Sequence, residues 1–476
     1  MQNKKWQFLN RCIVVGAVAV LATVASAQSG RTPGAQKQIV HTYTPPSADT
    51  VVQRGTVITP KSSVQRPEDA GRFAHTNYKI FQPEGRNLAD INPDNTFAEY
   101  PASLACVYKV GPGYPGCQPL NNGKVATGGW GAIALVDAYD DPNAATDLAF
   151  FSSFFGLPAA NFFTVWANSS WGAQGPLGLT ASCSGQPPNA VPHGWDLEEA
   201  LDIEWAHAMA PAAQIILVEA CSNSYNDLLV AEEVASNYVN SFGGGEVSNS
   251  WGSGEFAGEN NYDNYFYRDY WKHITRFVSA GDSGLGAAYP SSSPWVVSAG
   301  GTRVNRSATG NFQNESCWSG SGGGTSSQEI WQNPPNNILN GMGAWSDFQY
   351  ELFGGYPFSS APRATPDMSF DADPASGVWV RDTAGGGTWF VVGGTSVSAP
   401  SLAGIVNASN NRLGEAPPGG GYYHTGENDL IYAQLFTSTE YAKNFYDVKT
   451  GSNGANAGPG WDYCTGVGSP RGKVGK

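Results

Sequence analysis

Short apolar segments alternate with amphipathic ones over most of the chain after residue 130. The apolar segments have the length and the Val, Ile and Ala content of buried strands. Strands are predicted over residues 130–138, 215–220, 246–251, 276–280 and 295–299. Helices are predicted over residues 143–155 and 226–239, and between the strands 246–251 and 276–280. Strands that alternate with helices form parallel sheets. The pattern therefore predicts an α/β fold with a mainly parallel central sheet and helices on both faces.

The charge balance limits the kind of partner. The 476 residues include 40 acidic and 26 basic side chains, and charged residues make up 14% of the chain. A net negative charge argues against a nucleic-acid partner. Sparse charge with an acidic excess also suits acidic surroundings, because carboxylates that are protonated there leave little net charge.

The N-terminus has the features of a secretory signal. A basic region precedes an apolar run over residues 12–24, which is too short to span a bilayer, and a small-residue Ala-Ser-Ala site follows. These features predict a signal peptide over residues 1–27, a mature chain that begins at Gln28, and secretion to the extracellular or periplasmic space. Residues 28–96 are polar and weakly periodic, which predicts a pro-segment or an N-terminal arm ahead of a domain over residues 97–476.

Six cysteines remain once the predicted signal is removed: Cys106, Cys117, Cys183, Cys221, Cys317 and Cys464. An even number of cysteines in an exported chain predicts disulfides. Cys106 and Cys117 could close a short loop, and the other pairings stay open. The sequence has no CxxC pair, so zinc is not indicated.

Gly394-Thr395-Ser396 places a serine after glycines at the start of a small-residue helix predicted over residues 396–410. A hydroxyl at this position lies at the positive end of a helix dipole, on a backbone that a substrate can approach. Nucleophilic serines are often displayed in this way. The alternative is an N-cap serine of an ordinary helix.

The helix predicted after Trp195 carries two carboxylates one turn apart. Asp196 and Glu199 have the spacing of a capping box. Glu198 and Asp202 share one face of the helix, among apolar side chains. Carboxylates this close share a proton when they are buried, which raises one pKa. A solvated acidic face is the alternative.

Two further residues are candidates for a catalytic role. Asp282 follows a predicted strand in the sequence Ala-Gly-Asp-Ser-Gly, where α/β enzymes often place functional groups, although a turn aspartate is the simpler interpretation. A subtilisin-type enzyme needs a histidine in a His-Gly-Thr sequence. The nearest match is His193-Gly194-Trp195, which favours an ordinary loop histidine.

Taken together, these segments resemble the sedolisin (serine-carboxyl peptidase) family over about residues 100–470. They occur in the family's order: Glu198-x-x-x-Asp202, Ser248-Asn249-Ser250-Trp251-Gly252, Ser279-Ala280-Gly281-Asp282-Ser283-Gly284 and Gly394-Thr395-Ser396. The resemblance implies a subtilisin-like α/β fold in which glutamate replaces the usual histidine.

The resemblance also implies a role for each catalytic position. Ser396 would be the nucleophile, Glu198 its general base, and Asp202 the residue that orients and polarises Glu198. Asp282 would bind the oxyanion while protonated. The substrate cleft would be lined by Ser250, Trp251 and Gly252.

A calcium site is implied near the C-terminus by the same resemblance. One Ca²⁺ would be held by the carboxylates of Asp447 and Asp462 and by the carbonyls of Val448, Gly458 and Gly460. Hard oxygen ligands suit this ion. A glycine-rich turn with two surface aspartates is the alternative.

The resulting hypothesis is a secreted, monomeric serine-type endopeptidase that hydrolyses protein or peptide substrates at acidic pH through an acyl-enzyme. It would bind neither nucleic acid nor, after signal cleavage, a membrane. One alternative is a catalytically silent secreted binding protein on the same scaffold. Another is a histidine-dependent subtilisin relative that uses His193.

Overall fold

A computed structural model describes residues 54–94, 96–112, 118, 123–267, 273–307, 309–330, 348–349, 352, 362–410 and 426–473. These residues belong to one compact unit. The predicted signal peptide and the first part of the predicted pro-segment lie outside the described residues.

The strands, numbered in chain order, are short at both ends of the chain and longer in its centre. They are β1 (Gly55–Ile58), β2 (His75–Thr76), β3 (Lys79–Pro83), β4 (Ala132–Ala138), β5 (Asn161–Ala167), β6 (Gln214–Ala220), β7 (Gly245–Asn249), β8 (Trp251–Gly254), β9 (Ile274–Ser279), β10 (Ala288–Tyr289), β11 (Val297–Arg306), β12 (Phe312–Cys317), β13 (Gly324–Ile330), β14 (Pro362–Thr365), β15 (Met368–Asp371), β16 (Val378–Arg381), β17 (Trp389–Gly393), β18 (Phe445–Tyr446) and β19 (Ser469–Pro470).

The α-helices among the described residues fall mostly between strands. They are α1 (Pro101–Val107), α2 (Ala144–Phe155), α3 (Asp196–Met209), α4 (Tyr225–Ser241), α5 (Thr395–Ser409), α6 (Gly426–Leu435) and α7 (Ser438–Asn444). None of these helices has the length and apolarity that a membrane crossing requires.

An eight-stranded sheet forms the centre of the molecule. Its order is β12-β11-β9-β7-β4-β6-β5, and β15 also pairs with β11. The pairs β4/β6, β4/β7, β5/β6, β7/β9, β9/β11 and β11/β15 are parallel. The pair β11/β12 is antiparallel. The predicted mainly parallel sheet is therefore confirmed.

Both faces of this sheet are buried, and successive residues of a strand pack into different cores. Leu135 of β4 lies in one core with Leu201 of α3 and Leu402 of α5. Its neighbour Val136 lies in the second core with Leu228 of α4. Burying an aliphatic side chain stabilises the fold by about 1.5–3 kcal/mol relative to leaving it exposed. Because the central strands are apolar on both faces, helices cover both faces of the sheet.

Helices α3 and α5 approach each other closely at Gly404. A Cβ added at Gly404 would lie 2.6 Å from Met209 Cβ and 2.9 Å from the Ala206 carbonyl oxygen. A larger side chain would force the helices apart. The glycine at position 404 therefore permits the close approach of α3 and α5.

The N-terminal segment pairs with strands next to the sheet. Strands β1 and β3 belong to a four-stranded antiparallel sheet of order β1-β3-β17-β16, and β17 leads directly into α5. Strand β2 pairs with β8. Part of the segment predicted over residues 28–96 thus packs against the strand that precedes Ser396. Its assignment as a pro-segment or arm stays a prediction.

Two predictions of local structure were wrong. Where a helix was expected between residues 251 and 276, the described residues form short 3-10 turns at Glu259–Asn261 and Asp263–Tyr265. The Asn, Asp and Tyr residues of this stretch favour turns over helix interiors. The predicted capping box is also absent, because Glu199 is fully buried and accepts a hydrogen bond from the Asp141 amide instead (3.1 Å).

Two disulfides are described, Cys183–Cys221 and Cys317–Cys464. The second joins the end of β12 to the C-terminal segment that contains the proposed calcium ligands. Cys106 is also disulfide-bonded. Its proposed partner, Cys117, lies outside the described residues.

Candidate active site

Ser396 lies in the first turn of α5 and is fully buried. The backbone turns sharply just before this helix, where Gly394 has a φ of 117°. A Cβ at Gly394 would lie 2.2 Å from the Asn77 carbonyl oxygen and 2.6 Å from Asp282 Oδ2. Glycine is therefore required here, both for its backbone conformation and for the close approach of these two oxygens.

Helix α3 places Glu198 and Asp202 on the face directed toward α5, and both side chains are fully buried. Ser250 connects this pair to the serine. Its Oγ donates to Asp202 Oδ1 (2.8 Å), and its carbonyl oxygen accepts a hydrogen bond from Ser396 Oγ (3.2 Å). Ser250, predicted to line the substrate cleft, thus lies between Asp202 and Ser396.

Burial raises the pKa of Glu198 well above its usual value, and the negative charges of Asp202 and Asp137 raise it further. Burial and the charge of Asp137 likewise raise the pKa of Asp202. Since two like charges this close cannot both ionise without a counter-ion, the pair holds at least one proton over the acidic range.

The Ser396 hydroxyl is close enough to Glu198 to lower the pKa of that carboxyl. In this conformation the hydroxyl donates to the Ser250 carbonyl, and both Glu198 oxygens are without a hydrogen-bond partner. Rotation of the hydroxyl about one bond would direct its proton to Glu198. The arrangement can therefore pass the serine proton to a carboxylate.

Asp137 is a third buried carboxylate that the sequence interpretation missed. It lies on β4, is fully buried, and neither carboxyl oxygen has a hydrogen-bond partner. Burial raises its pKa to about 8. A single aspartate within the otherwise apolar strand Ala132–Ala138 was the available signal, because an unpaired buried charge is costly.

Asp282 follows β9 and faces the start of α5. Its Oδ1 accepts hydrogen bonds from the Thr395 amide (2.8 Å) and from Thr395 Oγ1 (3.0 Å). Its Oδ2 has no partner. Burial raises the pKa of Asp282 to about 7, although Lys79 and the bonds from Thr395 oppose the shift. At acidic pH Asp282 is therefore a neutral acid that can donate a hydrogen bond from Oδ2.

The predicted cleft residues contribute mainly through their backbone. The Trp251 side chain is fully buried, and its Nε1 donates to the Val136 carbonyl (3.0 Å). The backbones of Trp251 and Gly252 pair with Thr76 and His75. Strand β8 therefore presents a backbone edge with which the extended residues His75 and Thr76 pair.

His193 lies away from these contacts. It ends a 3-10 turn, is exposed, and stacks on Tyr139 with ring centroids 3.9 Å apart. The described polar contacts of Ser396 are instead with Asn77, Ser250 and Glu198.

The predicted calcium ligands lie in one C-terminal loop region, and part of the set converges. Tyr441 Oη is within hydrogen-bond distance of Asp447 Oδ1 (3.2 Å) and the Gly460 carbonyl oxygen (3.3 Å). The oxygens of Asp462 accept hydrogen bonds from the amides of Gly458 (3.2 Å) and Cys464 (2.9 Å).

The donor chemistry of this region fits a hard cation, since it offers two carboxylates and backbone carbonyls. Lys449 Nζ lies 3.0 Å from Asp447 Oδ2, and this ammonium would have to turn away when a cation binds. Among the described residues, no group of three or more His, Cys, Asp or Glu side chains could hold a metal. A bound cation would therefore depend on the carbonyls.

Several known proteins are similar to this chain in sequence. No family model matches the chain. Kumamolisin from Bacillus sp. (strain MN-32) is 31% identical over 328 residues, which cover 64% of this chain and 55% of kumamolisin. Sedolisin from Pseudomonas sp. (strain 101) is 30% identical over 216 residues, which cover 40% of this chain and 32% of sedolisin. Tripeptidyl-peptidase 1 from Homo sapiens is 29% identical over 214 residues, which cover 41% of this chain and 36% of that protein.

A solved structure of Pseudomonas sedolisin, described as a serine-carboxyl proteinase complexed with two molecules of pseudo-iodotyrostatin, has a TM-score of 0.55 at 22% identity. The superposition covers 79% of this chain and 95% of that one. The fold is therefore subtilisin-like α/β.

The sequence of the chain is similar to kumamolisin and sedolisin, and its fold resembles that of sedolisin. The chain spans about half the length of kumamolisin and about a third of the other two relatives.

Raising the pH is expected to destabilise the fold. The pKa of Asp137 is raised to about 8 and that of Asp282 to about 7 in the folded chain. Aspartates in the unfolded chain ionise at about pH 4. A raised folded-state pKa contributes stability that is fully present below the unfolded pKa and is lost as the pH rises through the folded pKa. The free energy of unfolding in urea should therefore decline between about pH 4 and about pH 8.

The Asp137→Asn variant keeps a neutral group at every pH and should show a smaller decline. Glu84→Gln, at an exposed carboxylate, is the matched control and should follow the wild type. A free energy of unfolding that stays level or rises over this range would contradict the interpretation.

Proposed function

We propose that this chain is a secreted serine-type peptidase that hydrolyses peptide bonds in proteins at acidic pH through an acyl-enzyme. The observation that carries the proposal is the meeting of Ser396, the Glu198–Asp202 pair and Asp282 in one buried constellation. Similarity to kumamolisin and sedolisin supports the same chemistry.

Ser396 is the proposed nucleophile, and Glu198 takes its proton as the hydroxyl attacks a peptide carbonyl. Asp202, held by Ser250, orients Glu198 and shares its proton. The raised pKa of the pair makes Glu198 a stronger base than a solvated carboxylate. Glu198 then returns the proton to the leaving amine.

The oxyanion is stabilised by two donors in the proposed mechanism. One is the Ser396 amide, which lies at the start of α5, and the other is protonated Asp282. Because the pKa of Asp282 is about 7, this second donor is present at acidic pH and is lost above neutrality. The oxyanion site thus accounts for an acidic working range.

Endopeptidase action is supported by the course of residues 75–83. This segment runs along β8 on one side of Ser396 and along β17 on the other. A peptide can therefore extend in both directions from the serine. The name tripeptidyl-peptidase 1 describes the activity of that relative, and the present chain is proposed to cut internal bonds.

The alternative of a catalytically silent binding protein is disfavoured because Ser396, Glu198, Asp202 and Asp282, the four residues that the proposed reaction requires, lie together in one buried constellation. The predicted signal over residues 1–27 supports secretion, and a monomeric state stays a prediction.

Digestion of a peptide library at about pH 4, read by mass spectrometry, tests the proposed reaction. The Ser396→Ala variant should lose essentially all cleavage, and Glu198→Gln should lose at least about 100-fold, the lower range for general base catalysis. Ser401→Ala is the matched control because Ser401 is buried in the same helix, and it should retain activity.

Full activity of the Glu198→Gln variant at acidic pH would contradict the proposed base. If the wild type cleaves no peptide between about pH 2 and about pH 6, where carboxylates titrate, the peptidase proposal fails and a binding role is favoured.

One Ca²⁺ is proposed to bind the C-terminal loops through Asp447, Asp462 and the carbonyls of Val448, Gly458 and Gly460. The ion would fix these loops, which are tied to β12 by the disulfide at Cys464. Its proposed effect is therefore on stability.

A chelator should lower the Tm of the wild type by several degrees, because a ligand that binds only the folded state stabilises it. The Asp447→Asn variant should begin with a lower Tm and show no response to the chelator. Added Mg²⁺ is the control and should not restore the wild-type value. An unchanged Tm in the chelated wild type would remove the calcium proposal.

A further inference from the structure

The central sheet ends at strand β5, and the outer edge of this strand is open. Strand β5 is the last in the order β12-β11-β9-β7-β4-β6-β5, and it pairs in parallel with β6. Among the described residues, no strand pairs with its other side. An open strand edge presents a row of backbone N–H and C=O groups, on which another extended chain can add as a further strand.

Two hydrogen bonds show which backbone groups of β5 point outward. The Asn161 carbonyl oxygen accepts from Gln214 Nε2 of β6 (2.9 Å), so it faces β6. The Trp166 carbonyl oxygen instead accepts from Trp171 Nε1 (3.0 Å), on the side away from β6. Because backbone direction alternates along a strand, Thr164 is oriented like Trp166. The amide and carbonyl of Thr164, an exposed residue, therefore point away from the sheet.

Aromatic side chains flank this edge on both faces of the sheet. On one face, Trp166 is 42% exposed, and its Nε1 donates to Oδ1 of the buried Asp140 (3.1 Å), which holds the indole in place. On the other face, the Phe163 ring lies 5.8 Å from that of Tyr238 and 6.3 Å from that of Phe242, which is itself exposed. The open backbone groups thus lie between two apolar walls.

The charge around this edge is unusually low. Strand β5 contains no charged residue, and the sequence has no Lys or Arg between Lys124 and Arg268. Soluble proteins commonly protect exposed strand edges with Lys or Pro, and β5 has neither. An anionic ligand, such as a phospholipid headgroup, would find no cation in this part of the sequence. The edge therefore fits an uncharged, apolar partner.

We infer that the open edge of β5 is a docking site, separate from Ser396, for an extended apolar segment of a protein substrate. The inference rests on the proposed peptidase function. The docked segment would add to the sheet as a strand beyond β5, and its alternate side chains would pack on the two aromatic walls. Acid unfolds many proteins and exposes such segments, so the proposed working range supplies the partner.

Other occupants match the edge less well. A polysaccharide could stack on the exposed indole, but it has no regular row of amide groups to pair with the strand. A second copy of the chain could supply the backbone groups. However, each copy has a formal net charge of −14 at pH 7, which opposes their association. An uncharged polypeptide segment satisfies both the backbone row and the aromatic walls.

Docking away from the reacting bond has a specific kinetic consequence. The contacts at β5 are the same in the bound substrate and in the transition state, so they lower KM without raising kcat. A long unfolded protein can use these contacts in addition to the cleft. A short peptide bound in the cleft cannot. The docking site therefore favours unfolded proteins over short peptides.

The binding test uses the full chain with Ser396→Ala, so that the probe is not cleaved, at about pH 4. The probe is the fluorescent peptide Thr-Val-Thr-Phe-Thr-Val-Thr, blocked at both ends, which matches the seven residues of β5. Fluorescence anisotropy should show binding of this peptide and at least about tenfold weaker binding of the same peptide with Pro in place of Phe, because proline cannot continue the strand pairing.

Adding Thr164→Pro to this protein removes an outward N–H but no bond to β6, and it should weaken binding of the probe about tenfold. Thr164→Val is the matched substitution, because it keeps the N–H, and it should restore the affinity. The Tm of each variant is measured alongside, so that a loss of folding is not read as a loss of docking.

A kinetic test uses Trp166→Ser in the otherwise unchanged chain. The substrates are lysozyme kept unfolded by reduction and alkylation, and a short library peptide. The ratio of the KM for the unfolded protein to the KM for the peptide should rise about tenfold, with little change in the ratio of the kcat values. Phe436→Ser is the control, because Phe436 is an equally exposed aromatic residue in the turn between α6 and α7.

The outcomes separate this inference from the proposed function. If library peptides are cleaved but the Thr164 and Trp166 variants change neither probe binding nor the KM ratio, the inference is wrong and the peptidase function stands. Equal binding of the two probes, or binding with an unchanged KM ratio, also overturns it. A molar mass by light scattering that doubles in the wild type and halves in Thr164→Pro would assign the edge to a second copy instead. Strand-dependent probe binding without cleavage of any peptide would support docking and refute the peptidase function.

Discussion

The burial of several carboxyl groups without a basic partner is the constraint on which the rest of the site depends. Glu198, Asp202 and Asp137 are fully buried, and burial raises the pKa of each of these carboxyl groups. An isolated buried carboxylate is unfavourable, so such groups retain protons instead of charge. A cluster of this kind is most stable at acidic pH, and the same property supports the proposed role of Glu198 as a base toward Ser396.

Close backbone packing brings the cluster to Ser396, the proposed nucleophile. Gly404 lets α3 and α5 approach, and Gly394 admits the Asp282 carboxyl and a peptide carbonyl beside the first turn of α5. Neither position accepts a larger side chain without movement of its surroundings. The geometry of the site therefore follows from two glycines as much as from the carboxylates.

The sequence predicted the sheet and most of its helices because short apolar runs that alternate with amphipathic segments form buried parallel strands covered by helices. It also indicated Ser396, Glu198, Asp202 and Asp282, through spacing and resemblance. It did not indicate that Asp137 lies near Glu198 and Asp202, because this proximity depends on how the strands and helices pack. It also did not predict that Glu199 accepts a hydrogen bond from the Asp141 amide. The passage of Asn77 across Ser396 joins residues 319 positions apart, and no local pattern reports such a contact.

The most direct test of this account is the pH dependence of kcat/KM for the wild type and for Asp282→Asn. The wild-type value should fall as the pH rises through about 7, where Asp282 loses its proton. Asparagine keeps its N–H donors at every pH, so this fall should move to higher pH in the variant. A wild-type profile that rises through neutrality, or identical profiles for the two proteins, would contradict the claim that a protonated Asp282 and a carboxylate base serve Ser396.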